Sequence, residues 1–112
     1  MEISVIIPVY NEKENIEPMV KKINETLEKK FKYYEILYVN DGSTDGTEEE
    51  LKRLKSLYKN LVVYNFEKNC GQTAALAAGF EKCKGEIVVT MDGDMQTDPD
   101  DIYVLLPYLK DY

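Results

Sequence analysis

The sequence predicts an α/β protein with three layers, in which helices cover both faces of an open parallel sheet. Two observations carry this prediction. Apolar runs of strand length alternate with stretches of helical periodicity, and polar or acidic residues follow every apolar run. Alternation of this kind is typical of a parallel sheet with helices on its faces. The four predicted strands are residues 3–9, 35–39, 61–66 and 86–91, in the spatial order 3-2-1-4.

Three helices are predicted between these strands. The first follows Asn11, a candidate N-cap, and the second starts near Asp45. The third, residues 71–82, has a face of small residues and begins at Gly71, so it can pack closely on the sheet and could present free backbone N–H groups to a phosphate. The alternative is an alanine-rich helix selected for helix propensity alone.

Composition and length predict one domain over residues 1–112. A chain with 44% hydrophobic and 31% charged residues is typical of a globular protein. The net charge of -7 argues against a nucleic-acid partner, which would require clustered Lys and Arg. Because the chain has no histidine, histidine-based zinc sites and Ser-His-Asp triads are excluded. No apolar run is long enough to span a bilayer and no signal peptide is evident, so we expect a cytoplasmic location.

The two cysteines, Cys70 and Cys83, fall in a stretch predicted to be largely helical. At the rise of a helix their Cα atoms would be too far apart for a disulfide. We expect both to be free, buried thiols, which agrees with a reducing compartment.

An acidic motif, Asp92-Gly93-Asp94, follows the fourth strand directly. Carboxylates at a turn can hold a divalent cation, and the glycine allows a bulky anion to approach the backbone. A carboxylate about 4 Å from a phosphate oxygen is repelled by roughly 4 kcal/mol at an effective dielectric constant near 20, so a nucleotide diphosphate here would need a metal between them. The alternative is an ordinary exposed turn.

Polar residues that follow the strands of a parallel sheet meet at one edge. Ligands bind there, in the crevice where the strand order reverses. In the order 3-2-1-4 that crevice lies between the first and fourth strands. We therefore expect Tyr10 and Glu12 to line it from one side, and Asp92 and Asp94 from the other.

Competing motifs can be tested against the sequence. Neither the dinucleotide fingerprint nor a P-loop is present. The segment 41–46 resembles the opening of an EF-hand loop, but its twelfth position is Lys52 instead of a bidentate Glu. We therefore interpret Asp41 as a ligand of a base or ribose. The alternative for Asp41 is a local turn before the second helix.

Four segments together resemble one family. They read SVIIPVYNE at 4–12, VNDGSTDGT at 39–47, NCGQTAA at 69–75 and MDGDMQ at 91–96. In order and spacing they are similar to the nucleotide-sugar half of the family 2 glycosyltransferases, which have the GT-A fold. The third segment and Gln96 further resemble the branch that makes polyprenyl-phosphate sugars, with dolichyl or undecaprenyl carriers.

The resemblance implies a set of site residues. The base and ribose would be held by Pro8, Tyr10, Glu12 and Asp41. Gly71, Asp92 and Gly93 would also belong to the nucleotide-sugar site, and the ligands of Mg²⁺ or Mn²⁺ would be Asp92, Asp94 and Gln96. Independently of the resemblance, Lys68 could be a counter-charge to phosphate, although a solvated surface lysine is the alternative. No catalytic base can be assigned.

The resemblance also implies partners. These are a UDP- or GDP-linked sugar, transferred with inversion, and a polyprenyl phosphate acceptor. Family members continue past this length with acceptor-binding elements, so we expect a piece of a longer protein that acts at the cytoplasmic face of a membrane. We also expect self-association through the fourth strand. The alternatives are a nucleotide-binding module without transfer activity and, less favoured because the glycines are missing, a Rossmann-type redox enzyme.

Overall fold

The protein is described here by a computed structural model over residues 1–91. Four strands alternate with three helices. Their bounds are β1 (Ile3–Val9), α1 (Lys13–Leu27), β2 (Tyr34–Asn40), α2 (Thr47–Lys55), β3 (Leu61–Asn65), α3 (Gln72–Lys82) and β4 (Ile87–Thr90). Each predicted strand and helix is present, with ends that differ by a few residues at most.

The four strands form one parallel sheet in the order β3-β2-β1-β4, which confirms the predicted topology. Ile3 of β1 is paired with Tyr34 of β2 on one side and with Ile87 of β4 on the other. Within the described residues β4 pairs with β1 alone and so forms one edge of the sheet. Self-association through this strand stays a prediction.

The core consists of two clusters, one on each face of the sheet. Alternate residues of β1 point to opposite faces, so Val5 and Ile7 pack with α1 and α2, whereas Ile6 packs with α3. Ile16 of α1 and Leu51 of α2 are fully buried in the first cluster. The helices therefore cover both faces, as predicted.

Helix α3 lies unusually close to the sheet. A Cβ built on Gly79 would be 2.4 Å from Cγ2 of Ile6, and the neighbouring Ala75 is fully buried. The small-residue face of this helix is thus required by packing, beyond any contribution from helix propensity.

We expect Gly79→Ala to lower the free energy of unfolding by up to about 2 kcal/mol. Alanine is favoured over glycine in a helix by about 1 kcal/mol, but overpacking a core costs about 1–3 kcal/mol. The cost of overpacking should exceed the gain in helix propensity, because the Ile6 side chain is stiff and fully buried. Urea denaturation measures the change. Ala77→Gly, at an exposed position of the same helix, reports propensity alone. A more stable Gly79→Ala variant would contradict the close packing.

A buried polar network lies at the amino-terminal end of the sheet. The carboxylate of Glu35, which is only 3% exposed, accepts hydrogen bonds from the Ser4 hydroxyl and from the Lys84 backbone N–H. The Ser4 hydroxyl oxygen in turn accepts from the Gly85 N–H at 2.7 Å. The network joins β1 and β2 to the connection between α3 and β4.

Candidate functional site

The carboxyl ends of the strands bring most of the described candidate residues to one edge of the sheet. Tyr10 follows β1, Asp41 follows β2, and Gly71 lies immediately before α3. The loops that carry them are joined by hydrogen bonds, described below. This agrees with the general position of ligand sites in open parallel sheets.

The β1–α1 loop presents a partly exposed surface. Tyr10 is 47% exposed, and Pro8 and Glu12 are half-buried. The Glu12 carboxylate accepts a hydrogen bond from the Asn15 side chain at 2.7 Å, which orients it along the first turn of α1. The loop therefore offers an aromatic ring and an oriented acid beside the end of β1.

Pro8 lies in a central strand, a position at which proline normally removes a ladder hydrogen bond. The pairing between β1 and β4 ends at Ile6 and Thr90, followed by a bond from the Met91 N–H to the Ile6 carbonyl. Pro8 has the same orientation as Ile6, so its missing N–H faces the position beyond this last bond. Pro8 therefore lies past the last paired residues of β1 and β4.

Asn11 connects the first two loops. Its φ of 53° is in the left-handed region, which Asn tolerates better than most residues. Its N–H donates to the Ser43 hydroxyl at 2.9 Å, and its side-chain oxygen accepts from the Thr44 N–H at 2.8 Å. The prediction that Asn11 caps α1 was wrong, because the helix begins at Lys13 and Asn11 bonds across to the β2–α2 loop.

Asp41 is the most buried of the described candidate ligands, at 4% exposed. Its backbone N–H donates to the Val9 carbonyl at 2.8 Å. Its carboxylate Oδ1 accepts from the Cys70 N–H at 2.7 Å, and Oδ2 accepts from the Gly71 N–H at 3.0 Å and from the Asn69 side chain at 3.1 Å. The carboxylate thus accepts hydrogen bonds from the loop after β3. In the local-turn alternative it would instead bind the residues that directly follow Asp41.

The β2–α2 loop is shaped by two other side chains. The Asn40 side-chain oxygen accepts from the Ser43 N–H at 3.2 Å, and the Asp45 carboxylate accepts from the Thr47 N–H at 3.0 Å. Burial raises the pKa of Asp45, but hydrogen bonds from Thr47 and from the Lys13 N–H outweigh it and lower the pKa below its usual value. Asp45 therefore stabilises the start of α2, and Asn40 stabilises the turn before it, which leaves Asp41 for other partners.

A polar cavity of about 340 Å³ opens beside the β1–α1 loop. It is lined by Asn11, Glu12, Lys13, Glu14, Asn15 and Asp45. Glu12 is the one predicted site residue in its wall, so the cavity adjoins the predicted crevice without containing Asp41 or Gly71.

The third loop carries two further candidates. Gly71 has a φ of 98°, in the left-handed region that favours glycine. Lys68 is exposed, and its role as a phosphate counter-charge stays a prediction. Cys70 is also exposed, so the prediction of two buried thiols was wrong for Cys70 and is confirmed for Cys83. The error arose because Cys70 precedes the helix and lies in the loop.

The predicted metal ligands Asp92, Asp94 and Gln96, with Gly93, lie outside the described residues. The last described residue is Met91, which is buried and whose N–H donates to the Ile6 carbonyl of β1. Within residues 1–91 no three acidic, cysteine or histidine side chains are grouped as a metal site. Carboxylate and amide oxygens are the ligands that Mg²⁺ and Mn²⁺ prefer, so the predicted set fits such a cation.

The strand order and the joined loops at the carboxyl edge define an α/β domain of the GT-A type. The Glycosyl transferase family 2 profile matches residues 4–112, and the chain belongs to that family.

Relatives and solved structures agree with this assignment. The chain is 37% identical over 101 residues to the undecaprenyl-phosphate 4-deoxy-4-formamido-L-arabinose transferase of Pseudomonas fluorescens (strain Pf0-1), covering 89% of this chain and 30% of the relative. A mannosyltransferase from Pyrobaculum calidifontis, solved in complex with GDP-Man and Mn²⁺, is similar with a TM-score of 0.73 and 30% identity, covering 83% of this chain and 27% of that one. Staphylococcus aureus TarS 1-349, solved in complex with UDP, is similar with a TM-score of 0.67 and 30% identity. The match covers 84% of this chain and 28% of that one.

The chain spans about a third of the length of the curated relatives it matches. Among residues 1–91, no helix combines the length and the apolar character needed to cross a bilayer.

Proposed function

We propose that this chain is the donor-binding half of a glycosyltransferase, and that it holds a UDP- or GDP-linked sugar through Mg²⁺ or Mn²⁺. One observation carries the proposal. Three loops from the carboxyl ends of β1, β2 and β3 are joined by hydrogen bonds around the buried Asp41, in a chain of family 2. The similarity to proteins solved with GDP-Man and with UDP supports a nucleotide diphosphate as the ligand.

The base and ribose are assigned to Pro8, Tyr10, Glu12 and Asp41. The exposed ring of Tyr10 offers a surface for stacking on a base. A carboxylate has about four acceptor positions, and Asp41 uses three of them on the loop after β3. The fourth could accept the N–H of uracil or guanine.

The diphosphate and metal are assigned to the end of β4. Asp92, Asp94 and Gln96 would hold the cation, and the glycine between the two acids would allow the diphosphate to approach. When bound, the cation would neutralise charge that develops on the departing diphosphate. Gly71 would approach the donor from the α3 side.

For the whole protein we propose transfer with inversion to a polyprenyl phosphate, at the cytoplasmic face of a membrane. The relative from P. fluorescens, named for transfer to undecaprenyl phosphate, supports this acceptor class. No catalytic base is assigned to the residues of this chain.

Calorimetric titration of the chain with UDP, GDP and NAD in the presence of Mn²⁺ tests the proposal. We expect UDP or GDP to bind and NAD to give no heat. A preference for NAD without metal would support the redox alternative and overturn the proposal. A transfer assay with polyprenyl phosphate, run on the full-length protein, separates transfer from simple nucleotide binding.

A further inference from the structure

The β2–α2 loop and the segment 69–71 form a single unit. The Asp41 carboxylate accepts both consecutive backbone N–H groups of Cys70 and Gly71, and the Asn69 side chain donates to its Oδ2 and to its backbone carbonyl. All three residues of the segment are therefore bonded to one buried acid.

The backbones of the two loops are also in direct contact. A Cβ built on Gly42 would lie 2.3 Å from the backbone nitrogen of Asn69 and 2.4 Å from the carbonyl carbon of Lys68. Gly42 also has a φ of +69°, so a larger residue would be strained and would displace the segment. The two loops can come close enough for the Asp41 hydrogen bonds to form because residue 42 is a glycine.

On its other side the segment has little support. A Cβ built on Gly71 meets no atom within 4 Å, and Asn69 and Cys70 are exposed. Because packing does not hold the segment there, the hydrogen bonds to Asp41 are its main restraint among the described residues.

We propose that Asp41 is a positioning residue, which holds the segment 69–71 in place so that Gly71 and the start of α3 meet the donor correctly. This inference rests on the proposed function. It means that Asp41 affects the affinity for the donor by holding the segment 69–71 in place, in addition to any direct contact with the base.

Asp41→Asn tests the inference, because the amide nitrogen cannot accept the N–H groups that one carboxylate oxygen now binds. By NMR we expect the amides of Cys70 and Gly71 to exchange about tenfold faster, while the amides of β1 are unchanged. We expect the affinity for UDP or GDP with Mn²⁺ to fall about tenfold. Asp45→Asn is the matched control. It removes an acid of the same loop that accepts hydrogen bonds from Lys13 and Thr47 in the described part of the chain and from none of residues 69–71.

Gly42→Ala separates positioning from base contact, since it displaces the segment and keeps the carboxylate. We expect it to reproduce the loss of affinity. Unchanged exchange in Asp41→Asn, or full affinity in Gly42→Ala with faster exchange, would overturn the positioning role. If the unmodified chain bound no nucleotide diphosphate, the proposed function would fail, and the role in donor binding would fail with it.

Discussion

Asp94→Ala is expected to reduce nucleotide diphosphate binding about a thousandfold while residues 1–91 keep their fold. Without a cation between them, the remaining carboxylate and the diphosphate would repel each other. Repulsion of about 4 kcal/mol at 4 Å corresponds to roughly that factor in affinity. Calorimetry with Mn²⁺ and with EDTA measures the effect, and circular dichroism checks the fold.

The control is Asp101→Ala, which changes another acid of the same C-terminal stretch that is not among the predicted ligands. It should bind nucleotide as the unmodified chain does. Binding that persists undiminished in EDTA would remove the metal from the proposed function.

Glu35→Ala is expected to lower the free energy of unfolding by about 2–4 kcal/mol. The Ser4 hydroxyl is fully buried and would lose its acceptor, as would the Lys84 N–H. An unsatisfied buried group costs about 1–3 kcal/mol, and the lost methylene adds about 0.8 kcal/mol. Urea denaturation at neutral pH measures the change.

Nucleotide affinity in Glu35→Ala should be unchanged under native conditions, because Glu35 lies at the end of the sheet opposite the candidate site. Glu86→Ala, at an exposed position next to β4, is the matched control and should change stability by less than about 0.5 kcal/mol. If the free energy of unfolding fell no more in Glu35→Ala than in this control, water would be replacing the carboxylate as the hydrogen-bond acceptor.

Much of the fold could be predicted because its signals are local. The apolar runs of the strands and the periodicity of the helices depend on residues within a few positions of each other. Short connections favour β2 beside β1 and β3 beside β2. The position of β4 beside β1 is a long-range choice that these rules do not specify. The small-residue face of α3 also predicted close packing, which Gly79 against Ile6 confirms.

The errors concern loops, where local signals are ambiguous. Asn is favoured both as an N-cap and at positive φ, so Asn11 could not be assigned from its neighbours alone. Its positive φ is decided by partners in the β2–α2 loop, Ser43 and Thr44. In the same way, Cys70 lies just before the predicted helix 71–82, and its exposure depends on how the loop after β3 packs, which its neighbours in sequence do not specify.

The sequence by itself determined the family and the fold class, because these depend on which residue types follow which strands. Only the tertiary structure decided what Asp41 does in the described part of the chain. Its carboxylate binds residues 28 to 30 positions further along, after β3, and not the turn that follows it. The physical reason is that hydrogen-bond partners of a buried acid are set by which loops the packed sheet brings together, and no local pattern specifies that approach.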